Sequence, residues 1–222
     1  EQKRRASTAA REKLNARTSF QKLERTLATN FDNGDLFITL TYRDEALPKE
    51  KAAAVGRLKR FLRKLREARK ARGKPLHYIY VTEGANPGGR LHHHLVVNST
   101  GDDLEEIRKL WIYGDNIEVR RLSFDRGYTY EDLASYLTKE PREWGHPQVG
   151  ERTWTPSLGL VKPAVESEAV PDYVTLAAPP EADILQCEGP IRNGYGEYSW
   201  IKYLLPKQPR KVRTRRRRKK KE

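Results

Sequence analysis

The chain has 222 residues, 36% of them hydrophobic, and a formal net charge of +14 at pH 7. This length allows one domain with a true core and an appendage, whereas two full domains would be crowded. Residues 207–222 hold eleven Lys or Arg and one Glu, so this segment supplies +10 and the remaining chain only +4. Because such a block repels itself, we expect residues 207–222 to form a disordered tail that is attracted to polyanions.

Residue usage excludes several classes of protein. Cys187 is the single cysteine, which excludes an intrachain disulfide or a cysteine-based zinc site and favours a reducing cytoplasm. The sequence has no apolar run of about 18 residues and no apolar signal-peptide core near Glu1, so we expect neither membrane spanning nor secretion. A Gly-x-x-x-x-Gly-Lys-Ser/Thr phosphate loop is also missing from the sequence. We therefore expect no nucleotide cofactor and no ATP-driven helicase activity.

The N-terminal part of the chain alternates between helical and strand patterns. Residues 1–30 are polar and basic, with apolar positions at helical spacing that predict one helix. Residues 36–42 predict a strand with one apolar face and one face that carries the hydroxyls of Thr39 and Thr41, suited to a wet side of a sheet. Residues 49–72 predict a long amphipathic helix, and its nine Lys and Arg from position 57 onward predict a solvated basic face.

The pattern that follows completes a recognisable order of elements. Residues 76–83 and 92–98 predict a hairpin joined by a loop rich in Gly, Asn and Pro. A second helix is predicted to end at Tyr113, and residues 117–124 predict another strand. The resulting βαββαβ order predicts an α+β, ferredoxin-like domain with one antiparallel sheet, both helices on one face, and the opposite face open.

Three of the five histidines, at positions 92 to 94, are consecutive at the start of a predicted strand. Side chains alternate along a strand, so His92 and His94 point to one side and His93 to the other. If the hairpin pairs end to end, Glu83 lies directly across from His92 and shares its face. One carboxylate and two imidazoles on one face can hold a divalent cation such as Mg, Mn or Zn, with positions open for water or substrate.

A further helix, from residue 130 to about 140, is predicted immediately after the sheet, and Pro141 ends it. Tyr136 and Lys139 are three residues apart and therefore share a face of this helix. Beyond it the chain is rich in Pro and Gly until an apolar and aromatic block at 195–205, predicted to be a strand or short helix. We therefore expect four segments, which are a basic helical segment 1–30, a core 31–140, an extension 141–206 packing on the core, and the tail 207–222.

Three segments in this order resemble the three motifs of HUH-type Rep endonucleases, the rolling-circle replication initiators of bacterial plasmids, phages and integrated elements. They are residues 37–42 (Phe-Ile-Thr-Leu-Thr-Tyr), 92–94 (His-His-His) and 136–139 (Tyr-Leu-Thr-Lys). The resemblance implies that His92 and His94 are metal ligands and that Glu83 is the acidic third ligand. His93 departs from the family pattern, in which the intervening residue is usually apolar.

The resemblance also implies that Tyr136 is the nucleophile and that Lys139 accompanies it. The activity so implied is Mg- or Mn-dependent nicking and joining of single-stranded or origin DNA, through a 5′-phosphotyrosine that frees a 3′-hydroxyl primer. The resemblance further implies that the protein acts on DNA in the bacterial cytoplasm, together with a host helicase and polymerase. One active tyrosine is expected, but Tyr128 and Tyr130 lie upstream and leave a second one open.

We expect DNA contacts from two groups, the hydroxyls of the first strand and the basic residues of the long helix, the hairpin loop and the tail. These candidates are Thr39, Thr41, Arg90, Arg57, Arg60, Lys64, Arg215 and Arg216. The extension is expected to shape the DNA-binding surface. Three alternatives remain, namely a single-tyrosine HUH transposase, a relaxase, and a basic DNA-binding protein without catalytic activity. The relaxase is disfavoured because its tyrosine typically precedes the histidines, and the last alternative predicts DNA binding without a covalent adduct.

Overall fold

The structure is a computed structural model that describes residues 9–85, 88–124, 129–139, 152–164, 166–169, 171, 174–194 and 196–206. The chain divides into two units, residues 1–165 and 166–222. The predicted tail 207–222, with Arg215 and Arg216, lies outside the described residues.

The first unit contains the strand and helix order that the sequence predicts, with an added helix at each end and a short additional strand. Its elements are α1 (Ala9–Asn30), β1 (Leu36–Leu40), α2 (Lys51–Ala71), β2 (Tyr78–Glu83), β3 (His92–Val97), α3 (Asp103–Leu110), β4 (Ile117–Arg121), α4 (Glu131–Leu137) and β5 (Thr155–Pro156). Most boundaries lie one to three residues inside the predicted ones. No helix in the described part of the chain is long and apolar enough to cross a membrane.

The five strands form one antiparallel sheet in the order β4-β1-β3-β2-β5. The first four of these strands have the order of a ferredoxin-like sheet, which confirms the predicted α+β fold class. Glu83 pairs with His92 across β2 and β3, as the end-to-end hairpin predicts. The short strand β5 covers the outer edge of β2, where the Ser157 amide donates to the Tyr78 carbonyl at 2.8 Å. This pairing protects a strand edge that would otherwise be open to other chains.

Helices α2 and α3 pack on one face of the sheet, as predicted. The buried stripe of α2 includes Leu58, Leu62 and Leu65, at helical spacings of four and three. These side chains meet Ile38 and Leu95 from the central strands in one hydrophobic cluster. Burying this stripe stabilises a helix whose outer side is mostly charged.

The opposite face of the sheet is partly covered, so the prediction of an open face is wrong in this respect. Leu23 and Leu27 of α1 and Leu137 of α4 form a second cluster with Val81 and Val96 of the sheet. The N-terminal helix has an apolar stripe that needs a partner, and this sheet face supplies it. Glu118 of β4, which pairs with Thr39 of β1 and so shares this face, is exposed.

Arg69 departs from the predicted solvated basic face of α2, because its side chain is fully buried. Its Nη1 donates to the carbonyl and the Oδ1 of Asn98, both at 2.9 Å, and its Nη2 donates to Asp103 Oδ1 at 2.7 Å. Asp103 also accepts hydrogen bonds from the amide and hydroxyl of Thr100, each at 2.6 Å, and from the Ser99 hydroxyl. This buried ion pair ties α2 to α3 and to the loop after β3.

The second unit is built on a hairpin of two antiparallel strands, β6 (Asp183–Asn193) and β7 (Gly196–Leu204). Strand β7 corresponds to the aromatic block that was predicted to be a strand or short helix. Strand β6 was not predicted. Its pairing with β7 shifts register twice, and the second shift, between Glu188 and Ile191, contains the Gly-Pro step at positions 189 and 190.

Candidate active site

The acidic and imidazole side chains at the ends of β2 and β3 converge on one face of the sheet. Glu83 is directly opposite His92, and His94 is two residues further along the same strand face. The Nε2 atoms of His92 and His94 each lie 3.6 Å from Glu83 Oε2 and 3.2 Å from each other. One ligand atom from each residue lies within 4.8 Å of the other two. Glu83, His92 and His94, called the metal-ligand group from here on, could hold a metal ion.

The environment of Glu83 fits a cation at this position. Its side chain is buried, and its Oε1 has no hydrogen-bond partner among the described residues. Burial raises the pKa of the Glu83 carboxyl, but hydrogen bonds from His92 and His94 and the positive charges of His94 and Lys139 lower it to about 2. The carboxylate is therefore ionised at neutral pH, and a buried anion with an unsatisfied oxygen is stabilised by a bound cation.

Helix α4 brings Tyr136 to the same place. The Tyr136 hydroxyl lies 3.2 Å from His94 Nε2, and its ring meets the His94 ring edge to face, with 5.1 Å between centroids. Lys139 Nζ lies 3.9 Å from the centroid of the Tyr136 ring, a cation–π geometry. Tyr136 is 40% exposed. A phenol beside the metal-ligand group is thus open to a substrate from outside.

The other tyrosines near the start of α4 differ from Tyr136. The Tyr130 ring is fully buried and packs against Phe124, with 4.8 Å between centroids. A buried ring in the core cannot reach a DNA strand, so Tyr130 does not offer a second accessible nucleophile. Tyr128 lies outside the described residues.

His93 points to the opposite side of the sheet, as strand alternation predicts. Its side chain is completely buried, and its two ring nitrogens lie 2.6 Å from the Tyr42 hydroxyl and 2.9 Å from the Thr82 hydroxyl. Burial lowers the pKa of His93 to about 3, with the charges of His92 and His94 adding to the shift. A neutral imidazole with both nitrogens satisfied can replace an apolar residue in the core without an orphaned polar group.

The expected DNA-contact residues of β1 and of the hairpin loop lie near the metal-ligand group. Thr39 shares its sheet face, and Thr39 Oγ1 lies 3.2 Å from His94 Nδ1. The Thr41 hydroxyl donates to the Asn116 carbonyl at 2.7 Å. Arg90 pairs with Asp44 at 2.7 Å and is about half exposed.

The expected DNA-contact residues of α2 are not brought to this group. Arg57, Arg60 and Lys64 belong to a helix that packs on the opposite face of the sheet. Arg57 lies over the ring of Tyr113, 5.1 Å from its centroid, whereas Arg60 and Lys64 are exposed. A strand bound at Tyr136 would therefore not contact these three cations on the same surface.

Phe37 is a neighbour of the site that sequence reasoning did not single out. Its ring stacks on His94, with 5.4 Å between centroids and 16° between planes, and meets Tyr136 edge to face at 6.1 Å. The available signal was an aromatic residue on the strand face that otherwise carries hydroxyls. Phe37 is half-buried and limits the rotation of both functional rings.

Residues 35–141 match the model of a family described as Replication-associated protein ORF2. This match covers the whole segment from β1 to α4. The predicted resemblance to rolling-circle replication initiators is thereby confirmed. The replication-associated domain begins just before β1 and extends past Lys139, so it contains Glu83, His92, His94 and Tyr136. Comparisons with curated proteins and with solved structures gave no match.

Proposed function

We propose that the chain is a rolling-circle replication initiator that nicks and rejoins single-stranded DNA through a 5′-phosphotyrosine at Tyr136. The observation that carries this proposal is the 3.2 Å separation between the Tyr136 hydroxyl and His94 Nε2, within a group that could hold a metal ion. The family match supports a role in initiating replication. A phenol, a lysine and a cation-binding group on one face are the parts that a metal-assisted transesterification requires.

The reaction is an exchange of one phosphoester for another. Tyr136 Oη attacks the scissile phosphorus, the new Oη–P bond forms, and the bond from phosphorus to the 3′ oxygen breaks. The phenolic proton is lost, and the leaving 3′ oxygen takes up a proton to become a 3′-hydroxyl. Because the covalent link keeps the energy of the phosphodiester, attack by a 3′-hydroxyl reverses the step without a nucleotide cofactor.

The phenol needs help because it is a weak nucleophile at neutral pH. Glu83, His92 and His94 would hold a divalent cation such as Mg or Mn, which polarises a phosphate oxygen and offsets the charge that builds up in the transition state. The ammonium group of Lys139, which lies 3.9 Å from the centroid of the Tyr136 ring, would add positive charge near the reacting phosphate. The Tyr136 hydroxyl contacts His94 at Nε2, the same nitrogen that would face a bound cation, so a bound cation would leave the hydroxyl free to meet the substrate.

The free 3′-hydroxyl would be extended by a polymerase. A host helicase would supply strand displacement, in keeping with the lack of a phosphate loop among residues 1–222. A single-stranded or extruded site is the expected substrate, because the nucleophile must reach the phosphorus in line with the leaving oxygen.

A covalent-adduct assay tests the proposal. The full chain is mixed with single-stranded oligonucleotides from the parent element's origin, labelled at either end, with Mn or Mg or with chelator. An adduct that survives denaturing electrophoresis is expected from the 3′-labelled strand, and a shorter free fragment from the 5′-labelled strand. Mass spectrometry should find the nucleotide on Tyr136. DNA binding without any adduct would instead indicate a non-catalytic DNA-binding protein.

The Glu83 carboxylate should dominate cation affinity. We expect Glu83→Gln to weaken Mn binding by more than about 100-fold, beyond the effect typical of losing an outer-shell partner, because a neutral amide replaces the buried anion. Isothermal titration of the full chain with Mn measures this affinity. Glu118→Gln is the matched control, since Glu118 is an exposed carboxylate on β4 that pairs with Arg120. Equal Mn affinity in the Glu83 variant and wild type would count against the metal centre.

A further inference from the structure

The two imidazoles of the metal-ligand group must present the same ring nitrogen. A neutral histidine that gives its Nε2 lone pair to a cation carries its proton on Nδ1, and that proton needs an acceptor when the ring is buried. For His92 the acceptor is the Arg90 carbonyl, 2.8 Å from Nδ1. A carbonyl can only accept a hydrogen bond, so it fixes the proton of a neutral His92 on Nδ1 in every state of the site.

The backbone of the hairpin loop holds this carbonyl in place. Gly84 has φ +80, and a Cβ at this position would lie 2.0 Å from the Arg90 oxygen. The close approach of the two backbone segments thus requires glycine directly after Glu83. The Nδ1 of His92 therefore faces a backbone acceptor whose position the loop fixes.

His94 differs, because its Nδ1 faces a side chain. Thr39 pairs directly with His94 across β1 and β3, and its Oγ1 lies 3.2 Å from His94 Nδ1. The His94 side chain is only 3% exposed, so bulk water cannot readily substitute for this partner. Phe37 stacks on the same ring and opposes a rotation that would bring Nδ1 elsewhere.

We propose that Thr39 is a positioning residue whose hydroxyl oxygen accepts the Nδ1–H of His94 and keeps Nε2 directed at the cation. This inference rests on the proposed function of the Glu83, His92 and His94 group. A hydroxyl can also donate, so Thr39 can satisfy His94 when its proton is on Nε2. The same residue therefore suits both the metal-free and the metal-bound site, whereas a carbonyl or an amide N–H would suit one of them.

The test compares variants that differ by one hydroxyl. Thr39→Val keeps the branched shape without the oxygen, and Thr39→Ser keeps the oxygen. Thr41→Val is the matched control, because Thr41 lies just past the end of β1 and its hydroxyl donates to the Asn116 carbonyl rather than contacting a histidine. We expect Mn affinity of the full chain, measured by calorimetric titration, to fall about 10–100-fold in Thr39→Val. It should remain near the wild-type value in Thr39→Ser and Thr41→Val.

A second readout reports on the proton itself. In the Zn-loaded chain, nitrogen-resolved NMR should show a slowly exchanging Nδ1–H for both His92 and His94. Thr39→Val should lose the His94 signal and keep that of His92, while thermal unfolding shows that the fold is retained. Absence of the His94 signal in the loaded wild type would overturn the inference even if the Val variant fails to fold.

The outcomes separate the inference from the proposed function. The role of Thr39 would be overturned if Thr39→Val bound the cation as tightly as the wild type and kept the His94 signal. The metal centre would then still stand. A wild-type chain that binds neither Mn nor Zn would overturn the metal centre, and the inference with it.

Discussion

Tyr136→Phe is expected to abolish the covalent protein–DNA adduct, with nicking reduced on the order of 10⁴-fold or more. The substitution removes only the attacking oxygen. The ring contacts with His94 and Phe37 and the approach of Lys139 to the ring do not involve that oxygen. The 3′-labelled adduct on a denaturing gel measures the effect, and fluorescence anisotropy should show that binding of the same oligonucleotide is retained.

Tyr203→Phe is the matched control for this experiment. Tyr203 belongs to β7 and is 39% exposed, against 40% for Tyr136, so loss of a surface phenol as such is tested separately from loss of the nucleophile. Adduct formation at the wild-type rate in Tyr136→Phe would refute the assignment. Tyr128→Phe would then be the next variant, because Tyr130 is buried.

Asp103→Ala is expected to lower the free energy of unfolding by about 3–5 kcal/mol, a large part of the total for a domain of this size. The substitution leaves the fully buried Arg69 guanidinium without its counterion. It also removes the acceptor of the Thr100 and Ser99 hydrogen bonds. Denaturant titration followed by circular dichroism measures the change.

Glu118→Ala provides the comparison, because the Glu118–Arg120 pair is exposed on β4 and should contribute less than about 1 kcal/mol. A loss of similar size in both variants would contradict the role assigned to the buried pair. Asp103 and Glu118 belong to the same unit, so the same unfolding transition can be compared in the two variants.

The same carboxylate gives the stability a pH dependence of known sign. Burial raises the pKa of Asp103, but hydrogen bonds from Thr100 and the charge of Arg69 outweigh it and lower the pKa below its ordinary value. Its contribution is therefore complete above the ordinary pKa of an aspartate and is lost as the pH falls through the lowered pKa of the folded state. Asp103→Asn should show a shallower loss of stability in acid than the wild type.

The sheet and the convergence of Glu83, His92 and His94 could be predicted because period-two patterns are strong in this chain. Alternation in β1 and β3 assigns Thr39, His92 and His94 to one face, and the length of the hairpin loop sets Glu83 opposite His92. These are local properties of neighbouring residues, which a sequence displays directly.

The features that were missed depend on contacts between distant segments. Arg69 continues the buried spacing of Leu62 and Leu65, four residues after Leu65, yet its charge alone indicated solvent. Its burial is possible only because Asp103 lies beside it, and the sequence offers no sign of that pairing. Likewise, the packing of α1 on the second sheet face could not be predicted from the order of elements. An apolar stripe predicts that a helix is buried on one side, but not which surface it packs against. Strand β6 was missed because Gly and Pro in its middle count against a strand.

His93 and His94 lie on opposite sides of the sheet, and residues 39–42 contact both of them. Thr39 contacts His94 on one side, and Tyr42, just beyond the end of β1, contacts His93 on the other. A slip of one residue between β1 and β3 would break both contacts at once and turn the imidazoles to the wrong sides. Strand register therefore couples the stability of the core to the proposed activity, because a chain with the wrong register would lose both.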